Sequence, residues 1–93
     1  MLSWTPSNLE KVKKEDIDRE ILRVGVLAEL DAINLYEQMA AATENENIKK
    51  VLLEVAKEEK THVGEFQSLL VKEDQEQKRE LEAGDKEVKE LTK

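Results

Sequence analysis

The sequence predicts an all-α fold in which two long antiparallel helices, plus a short C-terminal helix, dimerise into a four-helix bundle. Apolar residues recur at alternating steps of four and three over two long stretches, which is the spacing of a buried helical stripe. Of the 93 residues, 40% are charged and 3% aromatic, a composition that suits long helices with narrow apolar faces. One proline and three glycines leave little chain for turns.

Composition also narrows the function. The net charge of -7 argues against nucleic acid and against an anionic membrane surface, since both need clustered Lys and Arg. The absence of cysteine excludes disulfides, zinc thiolates, iron–sulfur clusters and thiol catalysis. Any metal must therefore be held by carboxylate and imidazole. No signal peptide and no apolar run of membrane-spanning length are evident, so we expect a cytoplasmic chain.

The first helix is predicted from about Asp16 to Thr43, after an N-terminal lead-in over residues 1–14 in which Trp4 could pack on its own helices or on a partner. Gly25 lies inside this helix at a local cost of about 1 kcal/mol relative to alanine. We attribute that glycine to a close helix–helix approach. The buried stripe of this helix is predicted to contain Leu22, Val26, Glu29, Ile33, Tyr36 and Ala40.

The second helix is predicted from about Glu46 to Lys72, with Asn45 as its N-cap. The short connection makes this helix return antiparallel, so residues 15–73 form one helical hairpin. Residues 74–93 are densely charged and are predicted to form a C-terminal helix or linker. Gly84 is the expected stop of a short helix there, followed by a marginal segment over residues 85–93.

Two polar residues interrupt the predicted stripe of the second helix, which contains Ile48, Leu52, Val55, Glu59, His62, Phe66 and Leu69. His62 is the single histidine of the chain, and Glu59 lies one turn before it on the same face. Glu29 occupies the matching register of the first helix. One hairpin cannot bury a two-sided apolar face, so we predict a homodimer with a two-fold interface.

The same residues predict the chemistry. Di-iron carboxylate sites in helical bundles use one Glu from each of two helices and one Glu-x-x-His from each of the other two. Glu29, with Glu59 and His62, is half of that set, so two chains would hold two iron ions. Tyr36, seven residues after Glu29, is a candidate hydrogen-bond partner or weak ligand, with core packing as the alternative. If the helices are rotated, Glu59 and His62 are instead solvated.

Other carboxylates are predicted to be solvated because they lie off the stripe: Asp31, Glu37, Glu58 and Glu65. Asp31, close to Glu29, is a candidate for guiding cations inward. No glycine-rich loop and no Ser-His-Asp set support hydrolytic chemistry.

The stretches ELDAINLYEQ (29–38) and EEKTH (58–62) resemble the encapsulated ferritins, half-size members of the ferritin-like superfamily. The resemblance covers about residues 17–91 and looks closest to the N-terminal ferritin-like cargo domain of archaeal encapsulin fusions. The chain departs from bacterial members at Ala28, where they tend to carry Glu, and at Leu35, where they tend to carry Trp. An entrance site built like theirs would be incomplete here, with Asp31 as its remaining candidate.

The resemblance implies a ferroxidase that oxidises Fe(II) with dioxygen at a di-iron centre between subunits, for iron storage inside an encapsulin compartment. It implies terminal ligation by Glu29, bridging by Glu59 and nitrogen ligation by His62, with Tyr36 near the iron, and dimers that assemble into a ring. Because no shell-targeting peptide is evident, we expect fusion to the shell rather than tag-driven loading. Two alternatives stay open: a rubrerythrin-like, peroxide-scavenging di-iron protein, and a non-catalytic helical assembly module.

Overall fold

Three α-helices account for most of the described chain. The computed structural model describes residues 9–93. Two 3-10 turns, Leu9–Lys11 and Lys14–Asp16, lead into α1 (Ile17–Ala42), α2 (Glu46–Glu73) and α3 (Gln75–Leu91). No strand occurs within residues 9–93. The predicted all-α arrangement of two long helices and a shorter C-terminal one is confirmed, whereas the interpretation of Trp4 falls outside the described residues.

The connection between α1 and α2 is short, and one of its side chains caps the backbone N–H groups of the first turn of α2. The Asn45 side chain accepts hydrogen bonds from the backbone N–H groups of Asn47 (3.0 Å) and Ile48 (3.1 Å). These donors have no partner inside the helix, so the predicted N-cap is confirmed. Glu37 pairs with Lys60 and Arg23 pairs with Asp74, so α2 returns antiparallel along α1.

The core of the hairpin is narrow. Ile33 (8% exposed) and Ala40 (2%) of α1 are buried, as predicted. On α2 the buried residues are Ala56 (1%) and Leu70 (7%), each one position beyond the predicted stripe.

The predicted stripe of α2 therefore needs a correction. Ile48 and Leu69 belong to it, yet they are 49% and 52% exposed. Residues 48, 55, 62 and 69, each seven after the last, follow the open edge of the hairpin instead of its centre. The predicted stripe therefore combined residues from two neighbouring rows along α2, one that faces α1 and one that faces outward.

At Gly25 a side chain of α2 packs directly on the backbone of α1, because the aromatic ring of Phe66 lies against it. The predicted close approach is present, and it is made by a ring against the backbone of α1.

The break between α2 and α3 is one residue long and is organised by Asp74. This residue is 7% exposed, and one carboxylate oxygen accepts from the N–H of Gln77 (3.0 Å), which caps α3. The other oxygen accepts from the guanidinium of Arg23 on α1 (2.6 Å). A single carboxylate thus joins all three helices.

The predicted stop at Gly84 is wrong, because α3 continues through it to Leu91. Gly84 does not have the positive φ that a helix-ending glycine adopts, and the residues around it are good helix formers. No residue of α3, which the structure describes in full, is buried. The helix contacts mainly α2, and the described chain measures 46 × 43 × 20 Å.

We expect Asp74→Ala to destabilise the fold more than Asp74→Asn, because asparagine still caps a helix whereas alanine does not. The Gln77 N–H and the Arg23 guanidinium hold the pKa of Asp74 below its ordinary value, despite burial. A lowered pKa stabilises the fold above the unfolded-state pKa of about 3.9, and that stabilisation is lost as pH falls through the folded-state pKa. The free-energy gap between wild type and Asp74→Asn, from urea unfolding, should therefore shrink below about pH 4. A pH-independent gap would contradict the ion pair.

Much apolar surface of the described chain is left uncovered. Large side chains more than one-third exposed occur on all three helices: Ile21, Leu27, Leu30, Met39, Ile48, Val51, Leu53, Leu69, Leu81, Val88 and Leu91. Among residues 9–93 no large side chain is fully buried. Such a small core is marginal by itself. None of the helices in this part of the chain has the length and apolar character to cross a membrane.

Candidate metal centre

Three donor side chains converge between α1 and α2. Glu29 comes from the middle of α1, and Glu59 and His62 come from one face of α2, one turn apart. Each offers a ligand atom, and these atoms all lie within 4.8 Å of one another. The structure thus brings together the three residues that the sequence predicted to share a site.

One imidazole nitrogen lies between the two carboxylates. Nδ1 of His62 is 3.3 Å from Oε2 of Glu59 and 3.4 Å from Oε2 of Glu29. The Glu59 contact meets hydrogen-bond geometry, but Oε2 of Glu29 is buried and lacks a hydrogen-bond partner among residues 9–93. One N–H group can donate a good hydrogen bond to only one of the two acceptors, so the other carboxylate is left without a hydrogen-bond donor.

These donors fit a metal ion. The Glu29 and Glu59 side chains are each 18% exposed, and two poorly hydrated carboxylates close together are unfavourable without a cation. A cation among the three donors would satisfy the orphaned oxygen of Glu29 directly. Carboxylate oxygens and a neutral imidazole suit iron, and without thiolates they do not favour soft metals.

The site is open on one side. The side chain of His62 is 43% exposed. It borders an open cavity of about 510 Å³ that is also lined by Glu29, Glu65, Phe66 and Leu69. Three protein donors are fewer than an iron ion normally takes, so further ligands would have to come through this opening.

The remaining predicted residues lie around the centre. Tyr36 is half-buried on α1, about 10 Å along the helix from Glu29, and its role stays a prediction. Glu37, Glu58 and Glu65 are exposed, as expected.

The prediction that Asp31 is solvated is wrong, because this residue is half-buried. Its Oδ2 atom is buried without a hydrogen-bond partner in the described part of the chain.

Two features of the structure are not indicated by the sequence, one beside the site and one at the α2–α3 junction. Phe66 was assigned to the core, but it also lines the cavity beside Glu29 and His62. Its packing on Gly25 could have been suspected from a glycine within a helix. The Asp74–Arg23 pair links residues 51 positions apart, and no local pattern indicates it.

Comparison with known proteins defines the class. A family model described as rubrerythrin matches residues 20–93, a range that contains all three donors and α3. The chain therefore belongs to the rubrerythrin family, and its helices form the ferritin-like all-α fold.

Within that class, the chain is 57% identical to the encapsulated ferritin domain of Pyrococcus furiosus, known from a crystal structure. The two superpose with a TM-score of 0.84, over 95% of this chain and 90% of the other. The resemblance to encapsulated ferritins is thereby confirmed.

Two curated relatives are longer than this chain. The ferritin-like–encapsulin shell fusion protein of Pyrococcus furiosus is 57% identical over an alignment of 95 positions, which covers 99% of this chain and 27% of that protein. The encapsulin nanocompartment cargo protein EncC of Myxococcus xanthus is 42% identical over 67 residues, 72% of this chain and 51% of that protein. The chain thus spans about a quarter and about a half of their lengths.

Proposed function

We propose that the chain is a ferroxidase that oxidises Fe(II) to Fe(III) with dioxygen at a di-iron centre shared by two copies. The observation that carries this proposal is the buried, unpartnered Oε2 of Glu29 beside Glu59 and His62. A purely structural seam has no use for an uncompensated carboxylate. The same feature weighs against the non-catalytic assembly module.

A second copy would complete the ligand set. Residues 48, 55, 62 and 69 follow the open edge of α2, so a partner packed there would cover His62 and the cavity beside it. Two-fold symmetry would then present a second Glu29, Glu59 and His62 to the first set. Exposed apolar residues supply the surface that such a dimer would bury: Ile48, Val51 and Leu69 of α2, and Ile21 of α1, which lines a small cavity together with Leu69.

Each donor has a distinct part in the proposed reaction. His62 supplies a neutral nitrogen, Glu29 binds iron terminally, and Glu59, the donor nearest to His62, bridges towards the other copy. Two Fe(II) ions supply two electrons, enough to reduce one dioxygen molecule to hydrogen peroxide with two protons. Carboxylates accommodate the change from Fe(II) to Fe(III) because they can shift between terminal and bridging coordination. Tyr36 is proposed as a hydrogen-bond partner near the iron.

Iron storage requires a container in addition to this chain. The open cavity at the site is about 510 Å³, which is far too small for a mineral particle. Both curated relatives carry encapsulin in their names, one as a shell fusion and one as a nanocompartment cargo. We therefore place the proposed dimers, assembled into a ring, inside an encapsulin compartment of the cytoplasm, with the shell fused or associated.

We expect the chain to bind Fe(II) without oxygen and to oxidise it when air is admitted. Anaerobic loading followed by oxygen should produce a ferric absorption band that saturates near one iron per chain, because two copies hold two ions. Hydrogen peroxide in place of oxygen tests the rubrerythrin-like alternative, in which peroxide would react much faster. Absence of a saturating phase with either oxidant would refute a di-iron centre.

A further inference from the structure

The contact between Gly25 and Phe66 is unusually close. A Cβ atom added to Gly25 would lie 3.2 Å from Cγ and Cδ2 of Phe66 and 3.3 Å from Cδ1. Because the distances to three bonded ring atoms are nearly equal, the ring presents its face to the backbone of α1 at this residue. Gly64 and Gly84 differ, because a Cβ there would meet no heavy atom of residues 9–93 within 4 Å.

The ring cannot easily move aside. Cγ lies on the axis about which χ2 turns the ring, so χ2 rotation leaves Cγ in place. A Cβ at Gly25 would require a shift of a few tenths of an ångström, either by a change in χ1 of Phe66 or by a wider separation of α1 and α2. The distance between the two helices is thus set at this level by a flat ring resting on bare backbone.

This contact lies one helical turn from the metal donors. Gly25 precedes Glu29 by four residues, and Phe66 follows His62 by four, a rise of about 6 Å on each helix. Phe66 also lines the cavity that Glu29 and His62 border. Any widening of the helices at Gly25 would therefore be felt where Glu29 of α1 meets the two donors of α2.

We propose that Phe66, seated on Gly25, is a positioning residue for the metal centre. It holds α1 and α2 at the separation that brings Glu29 within reach of Glu59 and His62, and its ring forms an apolar wall of the cavity. Phe66 does not itself ligate the metal. This inference rests on the proposed function, since it assumes that the three donors bind a metal ion.

Substitution at Gly25 tests the proposal through metal affinity. Titration of the dimer with Co(II), followed by visible absorption and calorimetry, should show about 10- to 100-fold weaker binding for Gly25→Ala than for wild type. Helical content and oligomeric state should be unchanged, because alanine is the better helix former. Gly84→Ala is the matched control, and it should bind Co(II) as wild type does.

Combining Gly25→Ala with Phe66→Ala tests whether the weaker Co(II) binding of Gly25→Ala is caused by its contact with the ring of Phe66. Alanine removes Cγ and the ring, so adding Gly25→Ala to it should cause no further loss of affinity. Leucine at position 66 keeps Cγ, and Gly25→Ala should still weaken binding there. If Phe66→Ala lowers helical content, the series of Ala and Val at position 25 replaces it, with affinity falling as side-chain volume rises.

The possible results separate the two proposals. Failure of the wild-type chain to bind Co(II) or Fe(II) would overturn the proposed function. Normal binding by wild type with equal affinity in Gly25→Ala would overturn only the positioning role. An additive loss in the Phe66→Ala background would also overturn it, because the glycine would then act by another route.

Discussion

Replacement of Glu59 by alanine is expected to reduce saturable Fe(II) oxidation by about 100-fold or more, to the rate of iron in buffer. Glu59 lies 3.3 Å from the imidazole of His62, and it is the proposed bridge between the two metal ions. Without it each half-site keeps one carboxylate and one imidazole, which is too few donors to hold two ferrous ions. Stopped-flow absorption under air, at two Fe(II) per dimer, measures the loss.

Glu58→Ala is the matched control for this variant. Glu58 is the preceding residue on the same helix and carries the same charge, but its side chain is exposed and is not among the three converging donors. We expect it to oxidise Fe(II) like wild type, so that general loss of negative charge is excluded as the cause. If Glu59→Ala oxidised Fe(II) as fast as wild type, the assignment of Glu59 to the metal centre would be wrong.

Leu69→Asp is expected to split the proposed dimer and to abolish the proposed iron oxidation with it. Leu69 is 52% exposed and borders the same cavity as His62, on the edge that we propose a second copy covers. A carboxylate buried there without a partner costs several kcal/mol in each of two symmetric positions. Light scattering should then report a species near 10.7 kDa, the mass of one chain.

Leu91→Asp controls for the chemical change in that experiment. Leu91 is 85% exposed at the end of α3 and is neither one of the three donors nor a lining residue of the cavity beside His62. We expect the proposed dimer and its oxidation rate to survive the substitution. A Leu69→Asp chain that stays dimeric would show that the open edge of α2 is not the interface. If such a dimer also fails to oxidise iron, that loss comes from local damage at the cavity and not from a lost interface.

The hairpin could be predicted from sequence because its determinants are local. Apolar spacing of four and three predicts the ends of α1 and α2 to within one residue of the observed ones. Asn45 caps α2 by accepting hydrogen bonds from the backbone N–H groups of Asn47 and Ile48, two and three residues later. The convergence of Glu29, Glu59 and His62 was also predictable, since all three interrupt an apolar pattern where polar residues are costly. Their role as metal ligands stays a prediction.

The rest depends on contacts distant in sequence. A heptad pattern cannot separate the row containing Ala56 from the adjacent row containing Val55, because a rotation of one residue changes which row faces α1. Asp74 stands in a run of charged residues, and its selection as the junction depends on Arg23, in another helix. Gly84 carries a helix-stop signal that the surrounding helix formers override.

The junction at Asp74 makes α3 a lever arm. From this residue to Leu91 the helix is about 24 Å long, so a rotation of about 10° at the junction would swing the far end by about 4 Å. Two hydrogen bonds on one carboxylate, from Gln77 and from Arg23, hold that angle together with the contacts of α3 on α2. A substitution at Asp74 would therefore displace Leu91 much more than it displaces Gln75.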